Sequence, residues 1–190
     1  MSPGEANARY HLNQCDSDSI VNFANALLEE GVYLDSLGEL CTMKKPIMSE
    51  AGPLFVAALK ELGAWNTDRQ EAAKVLLESG LSRISKGCEN LVEEAEFLYL
   101  NVHHEISDEL PDKKYVGDSL GLERVFCWLR EIWDCRDGSM LAYYTDIPRN
   151  EAEQKFLEHL REAAVEWLNQ NTQQAVPPKS DRAGELRIDR

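Results

Sequence analysis

The sequence predicts an all-α fold, a compact bundle of six to seven helices with short connections and a flexible C-terminal tail. Three observations lead there. Apolar residues recur at helical spacing almost throughout. A glycine or proline punctuates each periodic run. No Asn-Gly or Asp-Gly pair stands between alternating runs, as a β-hairpin would require. The 190 residues, 43 % hydrophobic and 28 % charged, have the composition of an ordinary globular chain. A chain of this length buries roughly 70 % of its unfolded surface without help from metals or disulfides. The expected organisation is an N-terminal arm over 1–15, a single helical domain over 16–170 and the tail over 171–190.

The first helix is expected after an N-cap in Asp16-Ser17-Asp18, with Ile20, Phe23, Ala24 and Leu27 on one stripe and Gly31 as its stop. A shorter helix covers 32–42 and ends before Pro46. Ser49 caps the next, whose stripe is Leu54, Phe55, Ala58, Leu59 and Leu62, and Gly63 ends it. Asn66 or Thr67 opens a helix that runs through Ala72, Val75 and Leu76 to Gly80. These three helix ends share a pattern, Leu-Leu-Glu-Glu-Gly, Leu-Lys-Glu-Leu-Gly and Leu-Leu-Glu-Ser-Gly. The glycines sit 32 and then 17 apart, so the likeness reads as shared C-cap chemistry and not as a repeat. A long helix follows over 88–110, with Leu91, Ala95, Leu98, Val102 and Ile106 inward, and Pro111 stops it. Asp118 caps the helix that carries Val125, Phe126, Leu129 and Ile132 and ends at Gly138. Residues 139–147 read as a short strand or an ordered loop. The last helix opens at Pro148 to Asn150 and buries Phe156, Leu160, Ala164 and Trp167. From about Asn171 the apolar periodicity stops.

Five cysteines at wide, irregular spacings form no CxxC pair, and an odd count reads as reduced thiols packed as small apolar residues. The N-terminus shows no apolar stretch behind a basic start, and no run reaches the length of a membrane span, so the expected location is cytoplasmic. Trp65, Trp133 and Trp167 read as core anchors, whereas Trp128 sits at the margin of its stripe. His103 reads as a partly buried core histidine and His159 as a solvated one.

Charge is the sequence's most informative feature. The net charge is −14, which speaks against direct nucleic-acid binding. It is concentrated in two blocks. Residues 10–43 hold Asp16, Asp18, Glu29, Glu30, Asp35 and Glu39 with no Lys or Arg. Residues 88–112 hold Glu89, Glu93, Glu94, Glu96, Glu105, Asp108, Glu109 and Asp112, again with no Lys or Arg. The remaining segments cancel. Unmixed helices forgo the few tenths of a kcal/mol of each opposite-charge i, i+4 pair, and Glu29 and Glu30 sit at a helix end where the dipole prefers cations. Such carboxylates call for something positive, whether a partner, a metal or cations elsewhere in the fold.

Two functions follow. In the first, the chain binds a protein partner with a basic surface, as an inhibitor, immunity or adaptor component, through Glu93, Glu94, Glu105, Asp108, Glu29, Glu30 and Asp35. It needs no cofactor, and electrostatic steering would make the association fast and salt-sensitive. The missing nucleophile, P-loop, GxGxxG and HExxH motifs fit a binder better than an enzyme. In the second, Glu94, Glu105, Asp108 and Glu29 or Glu30 hold Mg²⁺ or Mn²⁺ against a phosphate-bearing substrate, with His104 beside them. Glu93 to Glu96 and Glu105 to Asp108 resemble in spacing the ExxE and ExxD pairs of all-α nucleotide pyrophosphohydrolases. Here they lie on one continuous helix, whereas that family carries them on two facing helices. The oligomeric state is not encoded in any of these features.

Overall fold

A computed structural model describes residues 1–111 and 114–174. Among the described residues the chain forms eight helices and no strand. They are α1 (Pro3–His11), α2 (Ser17–Glu29), α3 (Asp35–Thr42), α4 (Met48–Glu61), α5 (Arg69–Ser85), α6 (91–106), α7 (Glu123–Asp137) and α8 (Arg149–Gln174). None is long and apolar enough to cross a membrane.

The helix beyond the expected six to seven is α1, inside the segment read as an N-terminal arm. Its apolar stripe is short because alanines supply it, but Ala6, Ala8 and the following Leu12 are almost wholly buried. Ser2 caps it by accepting from the Glu5 amide. Asn7, also buried, donates from Nδ2 to the Asn66 carbonyl at 3.0 Å and accepts from the Asn66 amide at 3.3 Å. That pair satisfies a buried amide and fastens α1 to the connection between α4 and α5.

The apolar stripes build two hydrophobic clusters. In the first, α2, α3 and α4 pack Phe23, Leu27, Leu37, Leu40 and Leu59 around Phe55. In the second, α5, α6, α7 and α8 pack Leu76, Leu81, Leu98, Val102, Leu129 and Leu160 around Phe156. Full burial of Phe55 and Phe156 contributes about 2–3 kcal/mol each. Helix α1 belongs to both clusters, giving Ala6 to the first and Ala8 and Leu12 to the second.

Gly31, Gly63 and Gly138 have positive φ just past their helices, as their C-cap role requires. Gly80 does not end its helix. It is buried inside α5, where a Cβ would lie 2.7 Å from Leu98 Cδ2 and 2.8 Å from Glu94 Oε1. The glycine permits α5 to approach α6 closely, and the real stop is Gly87, at φ +74°. The caps also differ from expectation at three places. Asp68, and not Asn66 or Thr67, accepts from the amides of Gln70 and Glu71 to open α5. Asp118 belongs to a 3₁₀ turn, so α7 starts at Glu123. Helix α4 starts at Met48, before Ser49.

Helix α6 starts at Leu91, not Cys88, because α5 extends to Ser85. Its middle, Leu98–His103, winds as a π-helix. The wider turn lets Leu98, Val102 and Ile106, each four residues apart, stay on the buried stripe. Ser107–Glu109 tightens to 3₁₀ before Pro111. Residues 139–147 are an ordered loop, not a strand. Arg149 fixes the loop's start by donating to the carbonyls of Asp134, Cys135, Gly138 and Ser139, capping α7 with a cation. Helix α8 continues to Gln174, past the expected end near Asn171. The remainder of the expected tail, residues 175–190, and Asp112 lie outside the described residues.

Candidate functional site

The two acidic blocks have different environments. On α6, helix α5 supplies the missing cations. Arg83 donates from Nη2 to Glu94 Oε1 at 2.7 Å and from Nη1 to Glu5 Oε1 at 3.4 Å. The Glu94 carboxylate holds the Arg83 guanidinium above its ordinary pKa. Arg69 pairs with Glu109 Oε1 at 2.8 Å and Glu105 Oε2 at 3.6 Å, and it also donates to the carbonyls of His11 and Glu105. Glu96 accepts from Trp133 Nε1 at 2.6 Å. Four acids of this block therefore serve the fold: Glu94, Glu96, Glu105 and Glu109. Glu89, Glu93 and Asp108 are exposed.

The block on α2 and α3 has no such counterpart. Asp16 caps α2 by accepting from the Ser19 amide, and the Ser19 hydroxyl, followed by that amide, holds its carboxyl below the usual carboxylate range. Asp18, Glu29, Glu30, Asp35 and Glu39 are exposed and form no ion pair among the described residues. The last turn of α2 contains no basic residue. Between Glu30 and Asp35 the connection carries Tyr33, whose side chain is 79 % exposed although aromatic. Tyr33 falls inside the helix expected over 32–42, but α3 starts only at Asp35, which leaves the ring in the connection from α2.

The metal reading required Glu29 or Glu30 to meet Glu94, Glu105 and Asp108. The structure places Glu29 in the last turn of α2 and Glu30 just past it, a helix that packs in the first cluster, and the others on or just past α6, which packs in the second. Among the described residues no group of three His, Cys, Asp or Glu side chains could hold a metal ion. Glu94 and Glu105 face arginines instead.

Other expectations change with the fold. His159 is not a solvated histidine. It stacks on Trp128 at 4.6 Å between centroids, its Nε2 lies 2.6 Å from the Tyr144 hydroxyl, and its Nδ1 lies 3.0 Å from Glu162. The side chain of Trp128, at the margin of its stripe, thus belongs to this aromatic group. Cys127 is exposed, whereas Cys135 is buried as expected. His103 is partly buried against Tyr99 and Phe126, and burial followed by the His104 charge pushes its pKa down.

The second cluster also carries a groove of about 850 Å³ along α7, with Tyr99, Phe126 and Trp133 on its walls and Tyr115, Met140 and Tyr143 exposed at its rim. One wall is set by Glu131, buried to 6 % exposure, whose Oε2 accepts from the amides of Ala142 and Tyr143. Comparison with known proteins yields no matching family model, curated protein or solved structure.

Proposed function

We propose that this chain acts by binding a protein partner, and that the α2–α3 face makes the contact. The supporting observation is the exposed run Glu29, Glu30, Tyr33 and Asp35, with Asp18 and Glu39 on the same two helices and no cation from residue 10 to 43. A tyrosine ring among carboxylates is suited to Arg or Lys side chains. The ring face attracts a cation, contributing about 0.5–1 kcal/mol at an exposed site. The carboxylates add charge-assisted hydrogen bonds, and tyrosine and arginine are over-represented among residues that dominate interfaces. The partner is therefore a protein with a basic surface, and the face serves as inhibitor or adaptor surface.

The test is a fluorescence titration of the protein against a labelled Arg- and Lys-rich peptide across a salt series. The reading expects saturable binding that weakens steeply as salt rises, and loss of most affinity in Tyr33→Ser. Binding that ignores Tyr33 would reduce the face to a solubilising surface.

A further inference from the structure

The contact between the two hydrophobic clusters leaves an open cavity of about 380 Å³. Four elements wall it: α1 with Glu5 and Arg9, the start of α2 with Ser19, α5 with Arg83 and α6 with Glu94. Two side-chain charges of each sign converge there, and Met1 lines the cavity with them. Arg83 is largely engaged: Nη1 donates to Glu5 Oε1 and to Ser79 Oγ, and Nη2 to Glu94 Oε1. Arg9 commits only Nη2, to Glu5 Oε1 at 3.2 Å, while its guanidinium lies over the Phe97 ring at 4.6 Å. Among the described residues the second oxygens of Glu5 and Glu94 accept no hydrogen bond, and Nε and Nη1 of Arg9 donate none.

Glu5 is only 9 % exposed as a residue, but its open oxygen reaches the solvent of the cavity, where an ammonium donor would replace water. Cys15, which also lines the cavity, adds no charge, because burial pushes its thiol up to about 11. The four ionised side chains on the walls sum to zero, and the Met1 α-ammonium, which also lines the cavity, adds one positive charge. A simple cation gains at the glutamates and loses at the arginines, and a simple anion does the reverse. A molecule bearing both signs gains at each. The volume lies in the range of small-molecule sites.

From these features we infer that the cavity binds a small zwitterion of the α-amino-acid class. Its ammonium group donates to the open oxygens of Glu5 and Glu94, and its carboxylate accepts from Nε and Nη1 of Arg9. Because the walls come from both clusters, the bound molecule bridges them.

The experiment is a ¹H–¹⁵N NMR titration of the full chain with glycine, L-leucine and L-glutamine in turn. The half-molecules 3-methylbutylamine and 4-methylpentanoate serve as matched probes lacking one charge. At least one amino acid is expected to shift the amides of Gln14 and Ser19 saturably. Each half-molecule, and Arg9→Gln, should bind about tenfold or more weakly, the scale of one lost charge-assisted hydrogen bond. Ser19→Phe, which fills the cavity and leaves the charges in place, should abolish the shifts while the rest of the spectrum stays native. The inference is overturned if none of the three amino acids shifts those amides saturably. It is overturned equally if the half-molecules bind as well as the zwitterion, or if Ser19→Phe leaves binding intact.

Discussion

The two acidic blocks carry similar sequence signatures and have opposite fates in the fold. Residues 88–112 and residues 10–43 both lack Lys and Arg. The first block faces α5, and Arg69 and Arg83 reach across to it. The second forms the outer side of α2 and α3, where no described cation pairs with it. A charge run thus says little about its own neutralisation, because the neutralising residue comes from whichever helix packs alongside. Only the arrangement of the elements separates a carboxylate that holds the fold from one left exposed.

The largest effect is expected where α6 depends on Arg83. Arg83→Met leaves Glu94, at 19 % side-chain exposure, without its cation and removes one of two from Glu5, at 11 %, which keeps Arg9. Breaking a fully buried pair costs about 3–5 kcal/mol, but the guanidinium is 36 % exposed and water softens the loss, so about 2 kcal/mol is expected by urea denaturation. A loss under about 0.5 kcal/mol would place the pair among ordinary surface contacts and weaken the contrast between the blocks. Arg69→Met comes next. Its ion pairs are more than one-third exposed and contribute little, but two carbonyls lose a donor, for about 1 kcal/mol.

Acid sharpens the contrast on α6 by another route. His103 has a lowered pKa in the folded state, so the unfolded chain binds its proton first as pH falls. Stability contributed by the neutral ring is complete above the ordinary histidine range. It declines as pH drops from about 6.5 toward the lowered value. His103→Phe should flatten that slope in melts recorded across mildly acid pH. An unchanged slope would assign the acid sensitivity elsewhere, with His11, also lowered by burial, as the next residue to replace.

The smallest effect has the opposite sign. Glu29→Lys places a cation in the last turn of α2, where the dipole favours it, and removes no contact in the described structure. Stability should rise by about 0.3–1 kcal/mol. A fall would mean that Glu29 supports the fold after all.

Much of the architecture was legible from residue spacing. The stripes of α2, α7 and α8 are buried as expected, and on α4 Phe55, Ala58 and Leu59 are buried while Leu54 and Leu62 are half-buried, because burial of a 3.6-residue stripe is the main force on such helices. The departures have physical causes. Helix α1 relies on alanines and on Asn7, which leave no strong apolar period. Gly80 looks like a terminator in sequence, but its lack of a side chain serves helix contact. His159 was misread because its partners Trp128 and Tyr144 lie on other elements. The candidate site was half legible: Glu29, Glu30 and Asp35 were picked out with Glu94 and Glu105, and composition could not tell these groups apart. Tyr33 was missed because the helix expected over 32–42 enclosed it, whereas α3 begins at Asp35.

The most direct test compares two triple variants of equal charge change. One is Glu29→Lys, Glu30→Lys and Asp35→Lys on the α2–α3 face, and the other is Glu89→Lys, Glu93→Lys and Asp108→Lys around α6. Affinity for the Arg- and Lys-rich peptide is measured for both beside the unaltered chain. The account predicts that the first triple loses binding while the second keeps most of it at moderate salt. Equal losses would show that net charge alone governs the association and would contradict a dedicated α2–α3 surface.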